Sequence, residues 1–248
     1  MDHLTLDSGD RVATITLRSE PANALSLDLV RDLRSALDDV ARGDARVLVV
    51  RSGLERFFAA GADLKLMGTL DRDGFADYLA QLRGALEQVA ALPQVTIAAI
   101  DGMALGGGLE LALACTLRVA SPRAQLGVPE VRLGLLPGAG GTQRLPSLIG
   151  TSQALDLLLT GRAADGAEAL ALGLVNRLDE DAGGAAAALA AEIAAFPRGA
   201  TQAIRRCVAA ADGTGGMDVE RHEILGLFEG ADGREGIAAF LERRPAAF

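Results

Sequence analysis

The stretch Val95-Thr96-Ile97-Ala98-Ala99-Ile100-Asp101-Gly102-Met103-Ala104-Leu105-Gly106-Gly107-Gly108-Leu109-Glu110 decides the reading of this chain. Its first six residues form an apolar run with almost no polar alternation, which marks a strand covered on both faces. Asp101-Gly102 breaks the run, a glycine triplet follows, and the apolar pattern resumes as a helix over about 107–115. Leu117–Ala120 then reads as another strand. Working outward, residues 47–50 (Val-Leu-Val-Val) repeat the buried-strand signal. Between the two, Asp73 opens a helix with Phe75, Leu79, Leu82, Leu86 and Val89 in register, ending before Pro93. Further upstream, Ser26 caps a helix running to about Arg42, with Leu29, Leu33, Leu37 and Val40 on one face and Gly43 beyond its end. Strands alternating with helices specify an α/β architecture with crossover connections.

At the N-terminal edge, alternating residues on either side of Ser8-Gly9-Asp10 read as a β-hairpin. At the other end the strand signal stops after residues 175–177, and from Ala182 onward Ala-rich helical segments take over. The expected division is an α/β core over 1–190 and a helical region over 191–248, with no internal repeat and no long linker.

Composition narrows the function. With 50% hydrophobic and 23% charged residues over 248 positions, disorder is excluded. A net charge of -9 disfavours polyanion and anionic-lipid partners, and 3% aromatics cannot build a base-stacking surface. No apolar stretch approaches the ~20 residues of a membrane span. Met1-Asp2-His3 starts no secretory signal, and Cys115 and Cys207 read as small buried residues, so a cytoplasmic location is expected.

Several catalytic patterns are absent. Gly138-Ala139-Gly140 has Gln143 where the third glycine of a dinucleotide fingerprint belongs, and there is no phosphate-binding G-x-x-x-x-G-K-[ST] loop. No Ser lies in G-x-S-x-G, and His3 and His222 stand alone, so neither a Ser-His-Asp triad nor a metal site is expected. Three segments remain: Phe58-Ala59-Ala60-Gly61-Ala62-Asp63-Leu64-Lys65, residues 102–110, and Pro129-Glu130-Val131 leading to Gly138-Ala139-Gly140-Gly141. The first two are small-residue loops ahead of helices, where backbone N–H groups can converge on one oxygen. Glu110 lies about one helical turn beyond Gly107, and Glu130 is a second carboxylate. Two carboxylates in an apolar cleft fit acid/base chemistry; a paired buried charge and a surface loop residue fit the same letters.

Taken together, these segments resemble those of the enoyl-CoA hydratase/isomerase, or crotonase, family. The resemblance spans nearly the whole chain, from Ile15 and Pro21-Ala22-Asn23-Ala24-Leu25-Ser26 to Phe240-Leu241-Glu242-Arg243-Arg244. It implies a crotonase-like spiral of ββα units with a helical C-terminal trimerisation region, assembled as a homo-oligomer, a trimer or dimer of trimers. It implies an acyl-CoA substrate, with coenzyme A belonging to the substrate, no separate cofactor and no metal. By matching positions, Ala62 and Gly107 are the oxyanion donors, Glu110 activates water, and Glu130 exchanges a proton at the α-carbon. Ala60, Asp63, Leu64, Lys65 and Gly138 match the substrate and CoA channel. Phe240 and Arg243 match positions reaching the nucleotide end of CoA on a neighbouring subunit, with Arg243 standing where Lys is common. Both glutamates together favour hydration of a trans-2-enoyl-CoA, with double-bond isomerisation and an idle CoA-binding subunit as the alternatives; fatty-acid metabolism through β-oxidation is one setting that the resemblance implies, beside amino-acid and aromatic degradation. One departure is Thr116, where the family commonly carries Asp.

Overall fold

The computed structural model describes residues 2–211 and 213–248. The chain divides into two compact units, Met1–Ala190 and Ala191–Phe248. In the first, β1 (Leu4–Gly9) and β2 (Val12–Leu17) form the expected antiparallel hairpin. Asp10 and Arg11 at its tip both take positive φ, 49° and 64°, the twist that a two-residue hairpin requires. The next helix, α1 (Leu27–Arg42), is capped by the Ser26 hydroxyl accepting from Leu29 N–H, and it buries Leu29, Leu33, Leu37 and Val40 as their spacing demands.

A strand–strand–helix unit then recurs. β3 (Val47–Ser52) and β4 (Phe57–Ala59) lead into α2 (Leu64–Met67) and α3 (Arg72–Ala91). β5 (Val95–Ile100) and β6 (Met103–Leu105) lead into α4 (Gly107–Ala114). β7 (Leu117–Ala120) and β8 (Gln125–Gly127) lead through a 3-10 turn, Pro129–Leu133, into α5 (Gly141–Ile149). The unit closes with α6 (Thr151–Thr160), β9 (Ala163–Asp165), α7 (Gly166–Ala171) and β10 (Arg177–Leu178). In the three repeats the first strand (β3, β5, β7) enters one sheet, ordered β1-β2-β3-β5-β7-β10, and the second (β4, β6, β8) enters another, β4-β6-β8-β9, with the order reversed in the closing pair β9 and β10. That alternation is the spiral implied by the family resemblance.

Some details differ from the sequence reading. α3 begins two residues earlier, with Asp71 rather than Asp73 as its cap: the Asp71 carboxylate accepts from Gly74 N–H. The core-facing register of α3 is Tyr78, Leu82, Ala85, Leu86 and Val89. Phe75 and Leu79 are only half-buried and face a pocket, so the helix is rotated relative to the expected stripe. Cys115 is buried as expected, its thiol pushed up to about 12 by desolvation, but Cys207 is only half-buried. Thr116 fits its place by pairing with Thr96: Thr116 N–H donates to the Thr96 hydroxyl at 2.8 Å, Thr96 N–H donates back at 3.3 Å, and the hydroxyls lie 3.2 Å apart.

α8 (Ala182–Ala194) leads into the second unit, whose own helices are α9 (Arg198–Ala209), α10 (Gly216–Glu229) and α11 (Ala231–Glu242). Arg206 of α9 grips Glu223 of α10 with two contacts, 2.5 and 2.7 Å. Ile204, Val208, Met217, Phe228, Phe240 and Leu241 are exposed on this unit.

Candidate active site

The two loops singled out in the sequence run side by side. Gly61 has φ 98°, and a Cβ there would stand 2.8 Å from the Leu105 carbonyl oxygen, so only glycine lets the strands leave β4 and β6 this close together. Ala62 N lies 3.6 Å from where a Cβ on Gly107 would stand. Among the described residues, neither the Ala62 nor the Gly107 N–H donates a hydrogen bond within the chain. Gly107 is the first residue of α4, so its N–H has no intrahelical acceptor and carries the positive end of the helix dipole.

One turn into α4, Glu110 is buried at 2% exposure. Its Oε1 accepts from the N–H groups of Ala139 and Gly141, both at 2.8 Å. Burial raises its pKa, while those two N–H groups and the Arg144 charge oppose the rise. Arg144 itself is held by donating to the Ala139 carbonyl at 2.9 Å.

Glu130 comes from the 3-10 turn after β8. Gly106, at φ 53°, leaves it room: a Cβ there would stand 2.7 Å from Glu130 Oε1. Glu130 Oε2 is buried without a hydrogen-bond partner. Burial, together with the Glu110 charge, pushes this carboxyl up to about 7, against a smaller lowering from its own backbone N–H. The two carboxyl groups therefore differ in kind. Glu110 has donors that favour its ionised form, and Glu130 has none on its inner oxygen.

Ala62, Gly107, Glu110, Glu130 and Gly138 line one pocket of about 170 Å³. Its remaining walls are apolar, chiefly Met67, Phe75, Leu79, Leu82, Leu135 and Leu136. Of the other residues singled out, Leu64 and Lys65 are exposed on α2, and Ala60 is half-buried beside β4. The Asp63 carboxylate is turned to capping α2, accepting from Lys65 and Leu66 N–H at 3.0 and 3.1 Å. Phe240 and Arg243 are exposed in the second unit, Phe240 on α11 and Arg243 just past its end. His222 lines a shallow groove whose charged neighbours Arg206 and Glu223 are already paired. No cluster of His, Cys, Asp or Glu able to hold a metal occurs among the described residues.

The sequence reading missed the donors that hold Glu110 and the glycine that makes room for Glu130. It also missed Tyr78, whose hydroxyl donates to the Leu25 carbonyl at 2.8 Å and accepts from Asp63 N–H at 3.1 Å. The signal was present: Tyr78 is the chain's only tyrosine, and it starts the register 78, 82, 85, 86, 89.

Two N–H groups without an acceptor among the described residues and two carboxyl groups thus line one largely apolar pocket, an arrangement compatible with acid/base chemistry on a bound carbonyl compound. The sequence profile of the enoyl-CoA hydratase/isomerase family matches residues 7–248. The chain belongs to that family. It is 42% identical to a Rhizobium meliloti protein described as "Probable enoyl-CoA hydratase", over 99% of this chain and 97% of that one. A Bacillus subtilis protein of the same description is 38% identical, over 100% of this chain and 99% of its own. A crystal structure of an enoyl-CoA hydratase from Bacillus anthracis superposes with a TM-score of 0.96 at 35% identity, covering 99% of this chain and 98% of that one.

Proposed function

We propose that the chain is an enoyl-CoA hydratase that adds water across a trans-2-enoyl-CoA to give a 3-hydroxyacyl-CoA. The observation that carries this reading is the meeting of two undonated N–H groups, Ala62 and Gly107, with two unlike carboxyl groups in one apolar pocket.

The thioester carbonyl accepts from both N–H groups, which draws electron density from the double bond and makes C3 electrophilic. Glu110, kept ionisable by Ala139 and Gly141, takes a proton from water as its oxygen bonds to C3. The π electrons move toward the carbonyl, and the two N–H groups stabilise the enolate as it forms. Glu130, its carboxyl pushed up to about 7 by burial, delivers its proton to C2. Proton exchange with solvent returns both carboxyl groups to their starting states.

In this proposal Ala60, Leu64, Lys65 and Gly138 flank the pantetheine and acyl path, and Asp63 shapes it by holding α2. Phe240 and Arg243 meet the nucleotide end of CoA on a neighbouring copy in a trimer or dimer of trimers, in the cytoplasm. No helix among the described residues is long and apolar enough to cross a membrane. Fatty-acid β-oxidation is the proposed setting. The test is loss of enoyl-thioester absorbance on mixing the protein with crotonyl-CoA. Retention of the band with solvent deuterium entering at C4 assigns an isomerase, whose equilibrium lies with the conjugated thioester, and binding without turnover assigns an idle subunit.

A further inference from the structure

Tyr78 sits at 2% exposure where the pocket wall meets the loop carrying Ala62. Its hydroxyl forms one link of a short chain of contacts. Leu25 N–H donates to the Gly61 carbonyl at 2.8 Å, and Leu25 bridges Ala62 as an isolated pair of parallel residues. One step along, the Leu25 carbonyl accepts from Tyr78, and Tyr78 accepts from Asp63 N–H. The two peptide groups flanking the Ala62 Cα are therefore both tied to Leu25, the first directly and the second through the phenol.

Peptide planarity turns these ties into aim. The Gly61 carbonyl and the Ala62 N–H share one plane and point opposite ways, so fixing the carbonyl on Leu25 directs the N–H away from it. The remaining freedom is rotation about Ala62 itself, and the Asp63 N–H contact to Tyr78 removes it. Leu25 also reaches the second donor, its Cδ1 lying 3.1 Å from where a Cβ on Gly107 would stand.

We propose that Tyr78 is a positioning residue for the electrophilic site: its hydroxyl locks the Asp63 peptide to Leu25 and so holds the Ala62 N–H on the thioester oxygen. The inference rests on the hydratase reading above and adds a residue to it. Tyr78 does not exchange a proton in the reaction. Burial holds its hydroxyl above the ordinary phenol range, so it remains both donor and acceptor at working pH. A misaimed oxyanion donor costs rate because its interaction is strongest in the transition state, and displacements of about 1 Å cost up to ~100-fold.

The experiment is Tyr78→Phe, which keeps the ring in the pocket wall and deletes the hydroxyl. We expect kcat on crotonyl-CoA to fall ~10–100-fold with KM changed less than ~3-fold. The second readout is the enolate band of bound acetoacetyl-CoA at fixed pH. Its enolate fraction reports oxyanion stabilisation directly and should drop in the variant. A variant with lowered melting temperature but wild-type kcat and enolate fraction overturns the inference, because the hydroxyl is then only a packing contact. Because Tyr78 is the only tyrosine, growth on 3-fluorotyrosine changes this one hydroxyl and gives a second test if Tyr78→Phe does not fold. The more acidic phenol is a weaker acceptor for Asp63 N–H, so kcat should fall on the order of 3-fold and the fluorine resonance should move when acetoacetyl-CoA binds. An unchanged kcat with an unmoved resonance overturns the inference. If wild-type protein fails to hydrate crotonyl-CoA, the hydratase reading falls first; wild-type activity with an indifferent Tyr78 leaves that reading standing.

Discussion

Glu110 and Glu130 face the same pocket and are satisfied differently, and the roles proposed for them rest on that difference. Two N–H donors on one oxygen keep Glu110 available as a base, while Glu130 keeps a bare buried oxygen and a carboxyl near 7. Glu110→Gln and Glu130→Gln should each lower turnover by at least ~100-fold with binding little changed, as expected for groups acting in the transition state. The pH dependence follows from the sign of the Glu130 shift. Its carboxyl is raised in the folded protein, so the folded chain holds this proton more tightly than the unfolded chain does. Its contribution to stability is therefore greatest at low pH and declines as pH rises toward and through about 7. Hydration should lose rate over the same interval as the proton donor ionises. Glu130→Gln should melt higher than the wild type at pH 8 and show no such advantage at pH 5; a scanning calorimetry series checks both. An advantage of equal size at the two pH values would place the Glu130 charge outside the buried pocket.

The elements that build the site show where sequence is eloquent and where it is silent. α1 was legible because Ser26, four apolar residues at helical spacing and Gly43 agree on one answer. β3 and β5 were legible as apolar runs buried on both faces. β4, β6, β8 and β9 span only three residues each, too short for any period, and their partners are distant in sequence. The glycine-rich segments were legible as places of close approach, yet only the family resemblance distinguished an oxyanion site from a set of tight turns. The N–H groups on Glu110 escaped notice because backbone donors leave no trace in side-chain patterns. α4 allows one sharp test at this scale. Gly107 begins the helix, where proline is tolerated, so Gly107→Pro removes one N–H with limited damage to the helix. Protein that retains its circular dichroism and assembly state should lose roughly 10²–10³-fold in turnover. Full activity in such a variant would reduce Gly107 to a turn residue.

At the scale of the whole molecule, the second unit ties α9 to α10 through Arg206 and Glu223 but exposes Phe228, Phe240, Met217 and Leu241. The proposed trimer or dimer of trimers would cover such an apolar surface. Static light scattering should give three or six times the 25.5 kDa chain mass; a stable species at the chain mass would contradict the proposed assembly. The central claim is that this assembly directs water to C3 and a proton to C2 of an enoyl thioester. Turnover of crotonyl-CoA in water enriched in both oxygen-18 and deuterium, read by mass spectrometry and nuclear magnetic resonance, tests it most directly. The account predicts 3-hydroxybutyryl-CoA carrying one heavy oxygen at C3 and deuterium at C2. Recovery of an unsaturated thioester with deuterium at C4 and no heavy oxygen would contradict it.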